Sequence, residues 1–343
     1  LQENFDKAVL LFEDLLANCK ADEGALTSLK ARMTKARTDA KANKGAILNG
    51  LTAYARFGSN NPFNNVMSDE EMKNLNAADL VSMLHNLNKY PHQVMYYGPQ
   101  VLPALTASLK KMHKMPASFT KAPAKINFAP SIQNTNQVLF ADYNMVQAET
   151  RWIRNNGLFN ANDEAVVNMF NNYFGGGMGA VVFQTIRESK ALAYSTFAYY
   201  VTPEKKEDPY YTIAYVGSQA DKFNEAVVAM NELLNEIPEI PSNIEFAKSG
   251  IKKDIETQRI TQDGIIFNFL DAEQKGLTED LRVKKYAAVD KIGYKELKDF
   301  HSKNIAAKPY TYAIVASESK IKMDDVKKLG EFKKLSLEEI FGY

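Results

Sequence analysis

Cysteine is nearly absent: Cys19 stands alone, so no intrachain disulfide can form and the redox compartment stays open. Set among Leu15, Leu16 and Ala17, it reads as a small buried hydrophobe rather than a nucleophile. An excess of either charge is missing too. The 42 basic and 41 acidic side chains nearly cancel, leaving no positive field to gather a phosphate backbone and excluding nucleic acid as a partner. No apolar run approaches the roughly 20 residues that span a bilayer, and the first residues lack the charged-then-apolar order of a signal peptide. The chain therefore reads as soluble. What is present is a globular composition, 45% hydrophobic and 24% charged, over the length of about two domains. Leu1 opens directly in a helical pattern, which predicts further chain upstream.

The sequence matches itself at a shift of about 218 residues. Phe5, Ala8, Val9, Leu15 and Leu16 recur in register as Phe223, Ala226, Val227, Leu233 and Leu234, apolar positions on one helical face. Gly45, Asn49, Leu51 and Ala53 recur as Gly264, Asn268, Leu270 and Ala272. A third block pairs Leu75 and Ala78-Asp79-Leu80, followed by a strand over Gln93 to Tyr97, with Ile292 and Lys295-Glu296-Leu297, followed by a strand over Tyr310 to Ala316. The second copy has a front portion, Ile132 to Ser218, with no counterpart before Leu1, so the first copy reads as truncated. Pro116, Pro123 and Pro130 mark an extended connector between them. These features predict a first domain over 1–115, a linker over 116–130 and a complete second domain over 131–343.

In the second copy Val138 to Tyr143 and Thr150 to Arg154 read as strands, and Tyr194 to Thr202 with Tyr210 to Gly217 as a hairpin. Helices are predicted over Lys222 to Glu236, Asn243 to Thr261, Ile265 to Lys275 and Tyr294 to Asn304. The expected class is α+β, in tandem domains that each pack helices on one face of a mostly antiparallel sheet. Gly175, Gly176, Gly177 and Gly179 form a glycine loop, but no Gly-Lys-Ser/Thr ending follows, so phosphate binding is not expected. The loop reads as structural: a helix end, a turn at positive φ and close packing of the next helix.

The run Tyr173-Phe174-Gly175-Gly176-Gly177-Met178-Gly179 through Arg187-Glu188 to Leu192-Ala193-Tyr194-Ser195 resembles the signature of the second half of pitrilysin/insulysin-like zinc metallopeptidases. In that family two halves enclose a peptide, and the amino half carries H-x-x-E-H, an inverted zinc motif whose Glu polarises water. This sequence departs from it: no two of His85, His92, His113 and His301 are four apart. The resemblance thus implies no metal and no cofactor in this chain, with zinc in a missing upstream half that would be its partner. It also implies substrate grip from Arg187 and Tyr194, a guanidinium and a phenol that donate hydrogen bonds to peptide carbonyls. Phe197, Tyr199, Tyr200, Tyr210, Tyr211 and Tyr215 are then core or chamber wall, and the open sheet edge could take an extended peptide by strand addition.

On this resemblance the chain is expected to be the substrate-binding, non-catalytic carboxyl-terminal part of a zinc metalloendopeptidase acting on peptides or unfolded proteins. The alternative is a catalytically inactive relative serving as a structural or assembly subunit beside an active partner. The sequence leaves the compartment open, and the family's bacterial members suggest the periplasm or cell envelope.

Overall fold

The computed structural model describes residues 2–343. The chain forms two compact units: one holds the chain through Asp39, Met67–Asn127 and Ile260–Asn268, the other Ala40–Val66, Phe128–Arg259 and Phe269–Tyr343. Helices come first: α1 (Phe5–Asn18), α2 (Glu23–Lys41), α3 (Lys44–Phe57), α4 (Asp69–Asn74), α5 (Ala77–His85) and α6 (Leu102–Met112). Their ends are written locally. Asn43 accepts from the Ala46 amide to open α3, and Ser68 with Glu71 closes a capping box on α4. Gly58, at φ 83°, ends α3.

The second unit then adds β1 (Gln137–Asp142), β2 (Gln147–Leu158), α7 (Glu164–Phe170), β3 (Ser195–Val201), β4 (Pro209–Gln219), α8 (Phe223–Asn235), α9 (Pro241–Thr257) and the rear of α10 (Gln262–Gln274). It finishes with α11 (Leu281–Val289), α12 (Tyr294–Asn304), β5 (Thr311–Ala316), α13 (Met323–Lys327), β6 (Glu331–Lys334) and α14 (Leu337–Phe341). The internal repeat is visible in the helix starts: α1 and α8 begin at Phe5 and Phe223, α2 and α9 at Glu23 and Pro241, α3 and α10 at Lys44 and Gln262.

Two local expectations fail. Residues 91–97 form no strand. Pro91 opens the segment, and no neighbouring strand among the described residues offers a ladder, without which an isolated strand has no stability. Cys19 is half-buried instead of core. Because α1 stops at Asn18, the thiol lies past the helix end, with Sγ 3.4 Å from His85 Nε2.

Among the described residues the strands make one sheet in the order β3-β4-β2-β5-β1-β6. β2 pairs antiparallel with β4 and β5, and β3 with β4, while β1 runs parallel to β5 and β6. The two-residue strand period sends Val138, Phe140, Trp152, Tyr312 and Ile314 into a core under α7, α8 and α12. It sends Leu139, Ala141, Ile153, Ala313 and Val315 to the other face, against Ile47, Leu48 and Leu51 of α3. Buried on both sides, β5 has no solvent-facing residue and is an unbroken apolar run but for Thr311. The edge strand β6 is short and carries Glu331, Lys333 and Lys334, charges that discourage pairing with another chain.

Candidate functional site

The glycine loop sits between two π-helical turns, Asn171–Gly175 and Phe183–Ser189, a helix type frequently found at functional sites. Its glycines have different jobs. A Cβ on Gly175 would lie 1.4 Å from the Ala198 carbonyl oxygen of β3, so only glycine lets this turn lie on the strand. Gly176 closes the turn under Tyr199, where a Cβ would come within 2.9 Å of the ring. Gly177 supplies the left-handed turn at φ 95°. Gly179 presents its carbonyl to Asn243 Nδ2 at 3.0 Å.

Beside Gly175, the Asn171 side chain acts as a surrogate strand. It accepts from the Tyr200 amide at 2.8 Å and donates to the Tyr200 carbonyl at 3.0 Å. The outer edge of β3 is therefore covered at Ala198 and occupied at Tyr200. This corrects the expectation of an open edge ready for strand addition, and nothing in the residue pattern announced it.

Arg187 lies on the second π-helical turn, with Ile186 buried beside it in the core. Its side chain is 46% exposed; the guanidinium lies 4.8 Å from the Phe183 ring centroid and 3.8 Å from the Glu188 carboxylate. The chain then reverses through Ala191, a non-glycine residue at φ 49°, to reach β3. Tyr194, 54% exposed, docks its amide on the Gly217 carbonyl at 2.9 Å, and its phenol oxygen accepts from Gln219 Nε2 at 2.6 Å. The phenolic hydrogen is left free to donate. Tyr194 and Gln219 line an open pocket of about 490 Å³ with Val146, Gln147, Asp221 and Lys320. No hydrogen bond joins Arg187 to Tyr194 among the described residues; the structure holds them at the two ends of one turn.

The hairpin separates its aromatics by parity. Tyr200 and Tyr210 are core residues, whereas Phe197, Tyr199, Tyr211 and Tyr215 are half-buried on the opposite face. There Phe197 stacks on Tyr215 with centroids 5.0 Å apart and meets Tyr199 at 5.5 Å. Below this ledge Glu149 is buried, accepts from the Tyr215 hydroxyl and pairs with Lys44. Burial first, and the Glu149 hydrogen bond second, push the Tyr215 phenol above its ordinary range. Tyr215 is thus a fixed neutral donor to Glu149. Sequence reasoning missed Gln219, Lys44 and Glu149. Gln219 could have been found as the strand residue two positions beyond Gly217; the Lys44–Glu149 pair spans the repeat boundary and carries no local signal.

Among the described residues no group of three or more His, Cys, Asp or Glu side chains converges in a way that would hold a metal. No helix among them is long and apolar enough to cross a membrane.

The α+β fold is shared with solved structures of peptidases. The peptidase M16 inactive domain from Pseudomonas fluorescens superposes with a TM-score of 0.70 at 13% identity, over 93% of this chain and 77% of that one. A mutant of the ferredoxin protease FusC, solved with Arabidopsis ferredoxin, gives 0.66 at 13% identity over 92% of this chain and 34% of that one. The periplasmic protease PqqL from Escherichia coli gives 0.62 at 10% identity, over 87% and 33%. Comparison with curated protein sequences gives no match. Residues 110–249 match the family model of the peptidase M16 inactive domain. Over residues 110–249 the chain is thus similar to the non-catalytic domain that this family model describes.

Proposed function

We propose that this chain is the substrate-binding, non-catalytic part of a zinc metalloendopeptidase, with the metal and its activating glutamate supplied by an amino-terminal half or a partner subunit. The observation that carries the reading is the Tyr194 phenol, exposed at the rim of a pocket, hydrogen-bonded as an acceptor and still able to donate. A donor fixed before substrate arrives costs no reorganisation when charge develops on a peptide carbonyl. Arg187 offers several donors in a fixed fork from the adjacent turn, and the ledge of Phe197, Tyr199 and Tyr215 offers half-buried aromatic surface for substrate side chains. With the β3 edge covered by Gly175 and Asn171, a peptide would be held on this ledge rather than by strand addition. The ferredoxin complex of FusC supports a protein or peptide as the occupant, and the periplasmic neighbour supports an envelope location.

The test is made in the complete protein. Arg187→Ala and Tyr194→Phe should each lower kcat/KM for peptide cleavage by roughly 10- to 1,000-fold, with zinc content and thermal stability unchanged, because both side chains are largely exposed. Unchanged kinetics in both variants would remove the site. A complete gene without H-x-x-E-H would favour the second reading, a structural or assembly subunit beside an active partner.

A further inference from the structure

The first unit brings together two histidines that lie far apart in the chain. His92 follows Pro91 on the segment before α6, and His113 is the residue that ends α6. Their Nε2 atoms are 2.7 Å apart, with the rings edge to face at 83°. Each ring is also held from behind. His92 Nδ1 lies 2.8 Å from the Tyr90 carbonyl oxygen, and His113 Nδ1 lies 2.6 Å from Glu13 Oε1. Glu13 is buried on α1, and its second oxygen accepts from Asn88 Nδ2 and the Lys114 amide, both at 3.4 Å.

A count of hydrogens shows what this arrangement demands. A carbonyl only accepts, so His92 must carry its hydrogen on Nδ1, leaving a lone pair on Nε2. If Glu13 is a carboxylate, His113 must likewise carry a hydrogen on Nδ1. Two neutral rings would then face each other lone pair to lone pair at 2.7 Å, a repulsive contact. The pair is satisfied by a cation placed between the two Nε2 atoms.

The geometry points to a divalent first-row transition ion as the occupant of that position: His92 Nε2 and His113 Nε2 as its two protein ligands, with water completing the shell. Both Nδ1 atoms already make the carbonyl and carboxylate hydrogen bonds that orient ligating histidines and raise their basicity. Imidazole donors favour zinc, nickel or copper over magnesium or calcium. Bonds of about 2.0–2.1 Å in a tetrahedral shell place two ligand nitrogens about 3.3 Å apart, so the rings must separate by roughly 0.6 Å. His92 is on an exposed segment and can move that far. Binding gives both Nε2 lone pairs an acceptor in place of each other. The ion would tie the segment around His92 to the end of α6, and Glu13, engaged by His113, is not free to serve as a base beside it.

The experiment is a calorimetric titration of the chelator-treated chain with Zn²⁺. One equivalent should bind. His92→Ala and His113→Ala should each weaken binding at least about 100-fold, and Glu13→Gln, which keeps a bond to Nδ1 but removes the charge, by about 10- to 100-fold. His85→Ala, which alters the neighbouring Cys19 contact, should stay within about twofold. No saturable binding up to millimolar Zn²⁺, binding unchanged in His92→Ala, or binding lost in His85→Ala alone would each overturn the assignment. Far-ultraviolet circular dichroism keeps loss of fold separate from loss of ligand, and His92, being exposed, can be removed without opening the unit.

Discussion

Replacing Gly175 by alanine would put a methyl carbon 1.4 Å from the Ala198 carbonyl oxygen. Ordinary carbon–oxygen contacts need about 3.3 Å, so the π-helical turn and β3 would have to part by about 2 Å. No flexible side chain can give way, because the obstacle is backbone. Such a shift takes Asn171 out of reach of Tyr200, whose amide and carbonyl it meets at 2.8 and 3.0 Å. Two lost hydrogen bonds at about 1 kcal/mol each and overpacking of about 1–3 kcal/mol give a destabilisation of roughly 3–5 kcal/mol. For a unit of this size that is a fall of roughly 10 °C in Tm. Trp152, the single tryptophan, is fully buried in the same unit and reports its unfolding by fluorescence. Gly177→Ala is the control. Its Cβ meets nothing within 4 Å, so only the left-handed backbone at φ 95° opposes it, a cost of about 1–2 kcal/mol. If Gly175→Ala unfolds no earlier than Gly177→Ala, the close approach to β3 is not what the glycine is for.

Two further outcomes follow from buried polar groups. Burial among Phe170 and Phe174 lowers the His301 pKa from 6.5 to about 4, so the folded chain keeps it neutral while the unfolded chain protonates it below pH 6.5. The unfolded state then binds more protons, and stability falls as pH drops from 6.5 towards 4. Urea unfolding followed through Trp152 should lose about 2 kcal/mol between pH 7 and pH 5, and His301→Gln should lose that much less; an unaltered pH slope in the variant would exclude His301 as its source. Asn231 Oδ1 accepts from Trp152 Nε1 at 2.7 Å and lies 3.4 Å from the Tyr312 hydroxyl. Asn231→Ala strands a buried indole donor, which should cost about 1–3 kcal/mol and shift the tryptophan emission, whereas an unshifted spectrum at unchanged stability would show that water replaces the amide.

The elements of the second unit were legible where periodicity is strong. The hairpin of β3 and β4, α8 and α12 lie within a few residues of their expected bounds, because alternation and helical spacing there coincide with burial on a single core. β6 and α14 went unread: Glu331–Lys334 is a charged edge strand with no apolar alternation, and its pairing with β1 is parallel and distant in sequence. The strand expected over Gln93 to Tyr97 failed for the complementary reason, a fitting pattern without a neighbour. In the first unit α1 repeats the spacing of α8, yet Leu11, Phe12 and Leu15 are exposed where Ala229, Met230 and Leu233 are buried. Spacing identifies a face and leaves open what covers it. At the site, Arg187 and Tyr194 came from a motif, but the Asn171 clamp, the Glu149 pair and the facing of His92 and His113 are tertiary and have no linear signature.

Why the aromatic ledge stands open follows from dimensions. Six strands about 4.8 Å apart make a sheet about 24 Å wide between its outer axes, and a helix with its side chains covers only about 10–12 Å of that. α3 lies over β5, β2 and β1, reaching β4 through Arg56, whose guanidinium is 3.7 Å from the centre of the Tyr211 ring. Ile213 and Tyr215 of β4 pack against the edge of the core under α3, and β3 on this face lies beyond its width. There β3 presents Phe197 and Tyr199 with Val201, half-buried, and Phe197 stacks on Tyr215 at the margin of the covered area; aromatic side chains tolerate both states. The same strand therefore carries two energetics in alternation. Tyr200, 4% exposed and packed on Tyr210 and Phe300, should cost about 3–5 kcal/mol when truncated to alanine. Tyr199, one residue earlier and half-buried, should cost well under half of that, and on the function proposed above should change the KM of the complete protein for peptide. Equal destabilisation by Tyr199→Ala and Tyr200→Ala in urea unfolding would mean that both faces are core, and the ledge would lose its claim to be a binding surface.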